Sequence, residues 1–283
     1  MLPRLPSPAP WHFAILTVLG LIFPVAALYG EDARPVEDAA SIPVQKIANP
    51  ALPTLFLVGD STVKVGTSGQ RGWGEEIGLF FDRSKINVVN RAIGGRSSRT
   101  FQTEGRWEQL LAELKTNDFV LIQFGHNDGG DISKGTRPRA SLKGSGDENV
   151  VVAIDGKEET VHTFGWYIRK YITDTQARGA TPIVCSLIPR KIWTSDGKIV
   201  RASENYGKWT ADAARATGAA FVDLNEIVAR EYEKLGKEKV ETFFADEHTH
   251  TNVAGARVNA ASVIAGLQAL KENPLAPYLI PHL

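Results

Sequence analysis

The sequence contains almost nothing that could cross-link the chain, because it has one cysteine, Cys185, among 283 residues. No intramolecular disulfide can form, so the fold must be stabilised by packing. Cys185 lies in the apolar run 181–188, which is typical of a buried strand. We interpret it as a core side chain and not as a catalytic thiol, since a reactive thiolate needs an exposed, electropositive setting.

An excess of charge of either sign is also absent, with 32 Lys and Arg residues against 32 Asp and Glu residues. A protein that binds nucleic acid through phosphate contacts needs a surplus of basic residues, so we exclude nucleic acid as a partner. The 12 Phe, 6 Trp and 6 Tyr residues exclude a disordered chain, and 26 Gly residues without a period exclude collagen.

The N-terminal segment has an apolar stretch, residues 13–23, that is too short to span a bilayer comfortably. Residues 1–27 also contain one basic residue, no acid, and small residues before Leu28. We predict a signal peptide over 1–27, hence a secreted or periplasmic protein with no stable membrane association after cleavage. An uncleaved membrane anchor is the alternative. Residues 28–52 are predicted to form a flexible lead-in, and 53–283 a single domain.

Beyond residue 53 the apolar pattern alternates between short runs rich in β-branched residues and longer amphipathic stretches. The short runs are continuous, as expected for a parallel sheet covered by helices on both faces. The fold class predicted is α/β, a doubly wound, flavodoxin-like three-layer sandwich with a mainly parallel five-stranded sheet. The predicted strands are 55–59, 86–90, 119–124, 182–187 and 220–223. The predicted helices are 73–81, 106–115, 163–178, 203–216, 224–235 and 254 to about 270.

Residues 129–160 interrupt this alternation and are rich in Gly, Ser and Lys, with a predicted hairpin around 150–157. A long insertion directly after a strand lies over the carboxyl edge of the sheet, where open α/β proteins bind ligands. We expect it to form part of a substrate cleft.

A candidate nucleophile, Ser61, follows the first predicted strand and Gly59, which permits a tight turn. This position places a hydroxyl at the rim of the sheet, where the N-terminus of a following helix could stabilise a developing negative charge. The alternative is that Ser61 or Thr62 only caps that helix.

A serine is a weak nucleophile without a general base, so a histidine partner is needed. His126, His248 and His250 are the candidates, since His162 is typical of a surface position and His282 lies in the terminal tail. Glu247 precedes His250 by three residues, so its carboxylate could fix the imidazole tautomer and leave the other nitrogen to accept the proton of Ser61.

Two further loops offer donors for an oxyanion hole. Residues 90–97 contain accessible backbone N–H groups at Gly94 and Gly95, and residues 125–128 contain the side-chain amide of Asn127. Turn glycines and Asn-Asp turns are also common structural devices. Their occurrence at successive strand ends favours the functional interpretation.

Together these segments resemble, in order and spacing, the four sequence blocks of the SGNH (GDSL-type) hydrolases over nearly all of 54–272. The blocks are Gly59-Asp60-Ser61, Gly94-Gly95-Arg96-Ser97, Gly125-His126-Asn127-Asp128 and the acid-x-x-His at Glu247 and His250. Within the superfamily the chain is most similar to the rhamnogalacturonan acetylesterases. That similarity rests on Gly72-Trp73-Gly74-Glu75, on 92–99, on 124–130 and on His248-Thr249-His250-Thr251.

The resemblance implies Ser61 as nucleophile and His250 as base, with an oxyanion hole formed by the Ser61 N–H, the Gly95 N–H and the Asn127 side chain. It implies no metal and no cofactor. The family has Asp three residues before the histidine, where this chain has Glu247, with Asp246 one residue further back. We favour Glu247 as the third member, with Asp246 as the alternative.

The function implied is a secreted serine esterase that removes O-acetyl groups from a polysaccharide, with pectic rhamnogalacturonan as the leading substrate. One alternative is a metal-dependent deacetylase that uses Asp246, His248 and His250. A second is a non-catalytic carbohydrate-binding protein whose tryptophans stack on sugars, although tryptophans are also common in cores. These tryptophans are Trp73, Trp107, Trp166, Trp193 and Trp209. Arg96, Arg99 and Arg137 either bind uronate carboxylates or are solvated surface residues.

Overall fold

A computed structural model of the chain describes residues 45–281. The predicted signal peptide, most of the predicted lead-in and His282 lie outside the described residues. Within the described range, no helix has the length and apolar character needed to cross a membrane.

A five-stranded parallel sheet forms the centre of the domain, in the order β2-β1-β3-β6-β7. All five predicted strands are confirmed, with ends that differ by one or two residues. The strands are β1 (Thr54–Gly59), β2 (Asn87–Asn90), β3 (Phe119–Gln123), β4 (Asn149–Ile154), β5 (Lys157–His162), β6 (Thr181–Cys185) and β7 (Ala220–Val222). The antiparallel pair β4 and β5 stands apart from this sheet.

Five of the six predicted helices are confirmed, and two short helices, α1 and α6, were not predicted. The helices are α1 (Thr100–Thr103), α2 (Arg106–Glu113), α3 (Phe164–Ala177), α4 (Tyr206–Thr217), α5 (Leu224–Leu235), α6 (Lys237–Glu241) and α7 (Val253–Gln268). Among residues 45–281, three short 3-10 helices also occur, at Trp73–Glu75, Ile77–Phe80 and Ala276–Tyr278.

The predicted continuous helix over 73–81 is wrong, because the chain forms two separate 3-10 turns there. Close packing explains the difference. A Cβ atom at Gly74 would lie 2.6 Å from the Val63 side chain, so this segment lies directly against the loop that follows β1. The Glu75 carboxylate accepts hydrogen bonds from the backbone N–H groups of Gly72 at 2.8 Å and Val65 at 3.1 Å, which holds the segment in place.

Alternate side chains of the strands belong to two separate cores, as the predicted three-layer sandwich requires. In β1, Leu55 and Leu57 pack in the core that α5 and α7 cover. Phe56 and Val58 pack on the opposite face, in the core that α2, α3 and α4 cover. Each such side chain contributes about 1.5–3 kcal/mol when it is fully buried. Cys185 is 1% exposed within the first of these cores, in agreement with its interpretation as a packing residue.

The predicted hairpin extends further than residues 150–157. Strands β4 and β5 pair from Asn149 opposite His162 to Ile154 opposite Lys157. Asp155 and Gly156 both have positive φ, 50° and 77°, as a two-residue hairpin turn requires. Because all strands of the main sheet are parallel, the loops that follow β1, β2 and β3 meet at its carboxyl edge.

Candidate active site

Ser61 lies in a tight turn at the carboxyl end of β1. The backbone N–H groups of Val63 and Lys64 both donate to the Asp60 carbonyl at 3.1 Å. Gly59 is required by space, since a Cβ atom there would lie 2.5 Å from the Gln123 carbonyl oxygen. The expectation that a helix follows Ser61 is wrong. Residues 61–63 form a turn and the next helical residues begin at Trp73, so no helix N-terminus follows the serine directly.

A chain of buried hydrogen bonds fixes the conformation of this turn. Asp60 accepts from the Thr62 backbone N–H at 2.9 Å and from the Thr62 hydroxyl at 2.7 Å. Gln123 donates to the same hydroxyl at 2.8 Å, and the Trp73 indole donates to Gln123 at 2.8 Å. Because these buried polar groups are hydrogen-bonded to one another, the position of Ser61 is strongly determined.

The structure brings His250 to Ser61, with 2.8 Å between the histidine Nε2 and the serine Oγ. These residues are 189 positions apart in the chain. His250 belongs to the histidine loop, residues 244–251, which the Ala245 N–H closes by donating to the His250 carbonyl at 2.9 Å. The Arg71 N–H donates to the Thr251 carbonyl at 2.7 Å and attaches the loop to the segment that follows β1.

Asp246, and not the favoured Glu247, contacts the other side of the imidazole. Asp246 Oδ2 is hydrogen-bonded to His250 Nδ1. Its Oδ1 accepts the backbone N–H groups of His248, Thr249 and His250 at 3.2, 2.7 and 2.8 Å. Glu247 is exposed. The loop curls around the shorter carboxylate, so the residue four positions before the histidine faces the ring.

The environment of Asp246 favours its ionised form. Burial alone would raise the pKa of this carboxyl group. The hydrogen bonds from the His250 ring and from the backbone N–H groups of His250 and Thr249 outweigh that effect and lower the pKa of Asp246 well below its ordinary value. A carboxylate that stays ionised beside Nδ1 holds the imidazole with its Nδ1–H toward Asp246 and its Nε2 toward Ser61.

The glycine loop after β2 lies against the nucleophile. A Cβ atom at Gly94 would stand 3.5 Å from the Cβ of Ser61. Gly95 has a φ of +77°, which favours glycine, and a Cβ atom there would overlap the Arg137 guanidinium. The asparagine loop, residues 125–129, joins it, since the Asn127 side-chain amide donates to the Arg96 carbonyl at 3.0 Å. The predicted donor residues Ser61, Gly95 and Asn127 thus lie on three contiguous loops.

His126 and Asp60 form a buried contact that was not predicted. His126 Nδ1 lies 3.4 Å from Asp60 Oδ2, and the two side chains are 4% and 0% exposed. Within residues 45–281 neither atom has a hydrogen-bond partner. Burial opposes ionisation of Asp60, but the His126 imidazole and the Thr62 hydrogen bonds lower its pKa below the ordinary value. The sequence offers one indication of this contact. Asp60 directly precedes the candidate nucleophile Ser61, and His126 directly precedes the candidate oxyanion donor Asn127.

Asp128, the last polar residue of the asparagine loop, is also buried but has no cationic neighbour among its hydrogen-bond donors. Its Oδ1 accepts from the Ser98 backbone N–H at 3.1 Å and from the hydroxyls of Ser98 and Ser141 at 2.5 and 3.1 Å. Burial, together with the nearby Asp60 charge, raises the pKa of Asp128 to about 6. This residue ties the asparagine loop to the start of α1.

The metal-site alternative finds no support in the arrangement of its residues. Asp246 directs one oxygen to His250 Nδ1 and the other to backbone N–H groups, while His248 Nδ1 is hydrogen-bonded to the Thr249 hydroxyl at 2.7 Å. In the described part of the chain, no three His, Cys, Asp or Glu side chains are grouped as metal ligands.

The five tryptophans are packing residues in this structure. Trp73 and Trp107 are fully buried, and the Trp107 indole donates to Asp174 at 2.9 Å. Trp193 and Trp209 pack against the two cores, and Trp166 stacks on His162 with ring centroids 3.8 Å apart. The two fully buried rings, Trp73 and Trp107, are therefore unavailable for stacking on a polysaccharide, whereas Trp166, Trp193 and Trp209 are partly exposed.

Two of the three candidate arginines hold loops together. Arg96 is buried and pairs with Glu104 at 3.0 Å. Arg99 is buried, donates to the Ile132 carbonyl at 3.0 Å and pairs with Glu159 at 3.3 Å. Neither is a solvated surface residue. Arg137, the third candidate, lies beside Gly95.

Comparison with known families matches residues 57–258 to the GDSL-like lipase/acylhydrolase family. The chain belongs to this family. The predicted resemblance to SGNH (GDSL-type) hydrolases is therefore confirmed, and the family's serine and histidine blocks are the segments that meet at Ser61 and His250.

Similar members of the family include proteins named for one activity. A rhamnogalacturonan acetylesterase of Emericella nidulans is 36% identical over 207 residues, which cover 73% of this chain and 81% of that protein. A probable rhamnogalacturonan acetylesterase, YesY, of Bacillus subtilis is 30% identical over 76% of this chain and 93% of its own length.

A solved structure supports the same fold. The crystal structure of protein YxiM of Bacillus subtilis is 25% identical and matches with a TM-score of 0.61 over 77% of this chain. The matched region spans only 56% of YxiM. The chain thus shares its fold with one part of that larger protein.

Proposed function

We propose that the protein is a secreted serine esterase that removes O-acetyl groups from a polysaccharide, with pectic rhamnogalacturonan as the leading substrate. The observation that carries the proposal is the continuous contact from Ser61 Oγ to His250 Nε2 and from His250 Nδ1 to Asp246. A hydroxyl, an imidazole and an ionised carboxylate in this order form the arrangement that activates a serine nucleophile.

The reaction proceeds by acyl transfer in two steps. His250 Nε2 accepts the proton of Ser61 as the serine oxygen attacks the acetyl carbonyl. The protonated imidazole then donates that proton to the departing sugar oxygen, which leaves as an alcohol and leaves an acetyl ester on Ser61. In the second step His250 takes a proton from water as the water oxygen attacks the ester carbonyl. The protonated imidazole then returns this proton to the Ser61 oxygen as the bond to the acetyl group breaks, so that acetate, neutral His250 and free Ser61 result.

Three donors stabilise the negative charge that develops on the carbonyl oxygen. They are the backbone N–H groups of Ser61 and Gly95 and the side-chain amide of Asn127. The contacts of Gly94 with Ser61 and of Asn127 with the Arg96 carbonyl support this assignment, because they hold the three loops together before substrate binds. Asp246 keeps the imidazole oriented and stabilises its charged form.

Polysaccharide deacetylation is the reaction after which both acetylesterase relatives are named. The pectic assignment is the finer part of the proposal, because substrate choice depends on loops such as 129–160. Export rests on the N-terminal sequence. A signal peptide over 1–27, a lead-in over 28–52 and a catalytic domain over 53–283 account for a protein whose substrate is a cell-wall polymer.

Acetate release from a panel of acetylated polysaccharides tests the proposal directly. We expect the protein to release acetate from acetylated rhamnogalacturonan faster than from acetylated xylan, and the Ser61→Ala variant to release none from either. Activity that survives in Ser61→Ala, or that a chelator abolishes while a serine-directed phosphonate does not, would contradict the serine mechanism. A higher rate on xylan would replace the pectic assignment and leave the mechanism intact.

A further inference from the structure

A short stretch of backbone, the bridge segment (residues 71–73), contacts both halves of the proposed catalytic pair. On one side it lies against the residues that follow the nucleophile. The Trp73 N–H donates to the Thr62 carbonyl at 2.9 Å. A Cβ atom at Gly72 would lie 2.4 Å from the Val63 carbonyl group, so the two backbones are in direct contact. The bridge segment is therefore fixed to the turn that carries the nucleophile.

On its other side the bridge segment pairs with Thr251, the residue directly after His250. The Arg71 N–H donates to the Thr251 carbonyl at 2.7 Å, and the Thr251 hydroxyl donates to the Arg71 carbonyl at 2.8 Å. Two hydrogen bonds of opposite direction between the same two residues fix their orientation as well as their distance. Thr251 is 3% exposed, so little water competes for these bonds.

Packing sets the direction in which the Thr251 side chain points. A Cβ atom at Gly255, in the first turn of α7, would lie 2.8 Å from the Thr251 methyl carbon. The methyl group thus packs against the α7 backbone, while the hydroxyl faces Arg71. A β-branched side chain has few χ1 rotamers, so the hydroxyl stays directed at its acceptor.

A buried carboxylate connects the bridge segment to α7. Glu76 accepts from the Arg71 Nε at 2.8 Å and from the Nε of Arg257, on α7, at 2.9 Å. Burial would raise the pKa of Glu76, but the hydrogen bonds from Arg257 and Arg71 lower it below the ordinary value. Because α7 begins two residues after Thr251, this charged cluster limits how far the histidine loop can move from the bridge segment.

We propose that Thr251 is a positioning residue, whose hydroxyl holds His250 within hydrogen-bonding distance of Ser61 through the bridge segment. This inference rests on the proposed function, because it concerns the catalytic pair of that reaction. The contact between Ser61 and His250 joins positions that are 189 apart, so it depends on how the two loops are docked. Proton transfer requires precise placement, and a shift of about 1 Å can lower a rate 10²-fold.

Thr251→Val tests the proposal, because valine keeps the branched shape of threonine and lacks the hydroxyl. We expect kcat for acetate release to fall by about 10–100-fold while KM changes little, since the buried side chain acts on the catalytic pair and not on substrate binding. Thr251→Ser keeps the hydroxyl and should recover most of the lost activity. A wild-type kcat in Thr251→Val, or an equal loss in Thr251→Ser, would overturn the proposal.

The matched control is Thr175→Val in α3. Thr175 is fully buried, and its hydroxyl also donates to a backbone carbonyl, that of Tyr171 at 2.7 Å, close to the end of α3 that leads into β6. We expect Thr175→Val to keep the wild-type kcat. Urea unfolding verifies that the variants are folded, and Thr251→Ala replaces Thr251→Val in every comparison if valine prevents folding. An equal fall of kcat in Thr175→Val would contradict a specific role for Thr251.

The rate at which a serine-directed phosphonate labels Ser61 separates this inference from the proposed function. We expect the rate constant of labelling to be about 10–100-fold lower in Thr251→Val than in wild type, and close to wild type in Thr251→Ser. Equal rate constants in wild type and Thr251→Val would overturn the positioning role and leave the esterase proposal intact. Absence of labelling at Ser61 in the wild type would contradict the proposed function, and the positioning role with it.

Discussion

The histidine loop and the asparagine loop each hold an aspartate beside the active site, yet they shift the pKa of that aspartate in opposite directions. Asp246 accepts three backbone N–H groups and an imidazole, and its pKa lies well below the ordinary value. Asp128 accepts one backbone N–H and two hydroxyls in full burial, and its pKa is raised to about 6. The number and charge of the donors, more than proximity to the site, decide which carboxylate stays ionised.

Asp60, in the loop that carries the nucleophile, also shows that the hydrogen-bond donors around a buried carboxylate determine its pKa. It is as deeply buried as Asp128, but the imidazole of His126 faces it at 3.4 Å, and its pKa is lowered. An adjacent imidazole therefore distinguishes the two carboxylates expected to be charged from the one that is easily protonated. Substitutions in the two loops test this distinction.

The largest effect is expected for Asp246→Asn. The amide can still accept the backbone N–H groups, but it presents an N–H to His250 Nδ1 and favours the wrong tautomer. We expect kcat to fall by about 10³–10⁴-fold with little change in KM. Steady-state acetate release measures both constants.

Glu247→Gln is the matched control for that substitution, because Glu247 is the neighbouring acid and is exposed. Its kcat should stay within about twofold of wild type, as is usual for surface changes away from a site. If Glu247→Gln lost as much activity as Asp246→Asn, the assignment of the third residue to Asp246 would be wrong.

Removal of the amide from the asparagine loop should have the next largest effect. Asn127→Ala deletes one proposed oxyanion donor, and we expect kcat to fall by about 10²–10³-fold while KM changes little. Asn127→Asp, which keeps the shape but replaces the donor by a carboxylate, should be at least as impaired. Normal kcat in either variant would remove Asn127 from the proposed machinery.

Removal of the buried contact between His126 and Asp60 tests whether the imidazole keeps Asp60 ionised. His126→Ala leaves a buried carboxylate without the imidazole that lowers its pKa, and we expect a loss of about 2–3 kcal/mol in the free energy of unfolding at pH 7. The lowered pKa of Asp60 stabilises the fold above its unfolded pKa, so the loss should shrink as the pH falls below about 4.

His126→Gln retains an N–H donor and should recover part of that stability. Urea unfolding at pH 3 and pH 7 gives all the values. A loss in His126→Ala that does not depend on pH would show that packing, and not the charge of Asp60, determines the effect.

The smallest effect concerns Asp128 and has the opposite sign. Because its folded pKa is raised, the cost of ionisation is absent near pH 4, grows as the pH rises, and is complete above about pH 6. Asp128→Asn removes this cost and keeps an acceptor for the Ser98 and Ser141 hydroxyls. We expect the free energy of unfolding to rise by about 1–2 kcal/mol at pH 7.5 and to match wild type at pH 4.

Asp131→Asn, three residues further along the chain, provides the comparison. Asp131 is exposed, and hydrogen bonds from the Ser133 and Lys134 backbone N–H groups lower its pKa, so this substitution should not stabilise the protein at pH 7.5. A gain in Asp128→Asn that is equal at both pH values would contradict the raised pKa of Asp128.

Much of the fold was predictable because its signals are local. Continuous apolar runs locate the parallel strands, and the spacing of apolar residues locates the helices that cover them. The helix predicted over 73–81 was wrong because the conformation of this segment depends on close packing against Val63, a contact with no local signal in the sequence. The two short helices α1 and α6 are too brief to produce a periodic pattern.

The candidate site was predictable as a set of residue types at strand ends, and the contact between Ser61 and His250 agrees with that analysis. The choice between Asp246 and Glu247 could not be predicted, because helical spacing does not describe a loop that curls around a carboxylate. The contact between Asp60 and His126 and the pairing of Thr251 with Arg71 require the three-dimensional arrangement of loops from distant parts of the chain.

Mapping the covalent adduct of a serine-directed phosphonate tests the central claim most directly. We predict one adduct per molecule, located by peptide mass spectrometry on Ser61, formed in step with the loss of acetate release. The adduct should be absent from Ser61→Ala and form far more slowly in Asp246→Asn than in Glu247→Gln. An adduct on another residue, or full activity in a protein modified at Ser61, would contradict the account.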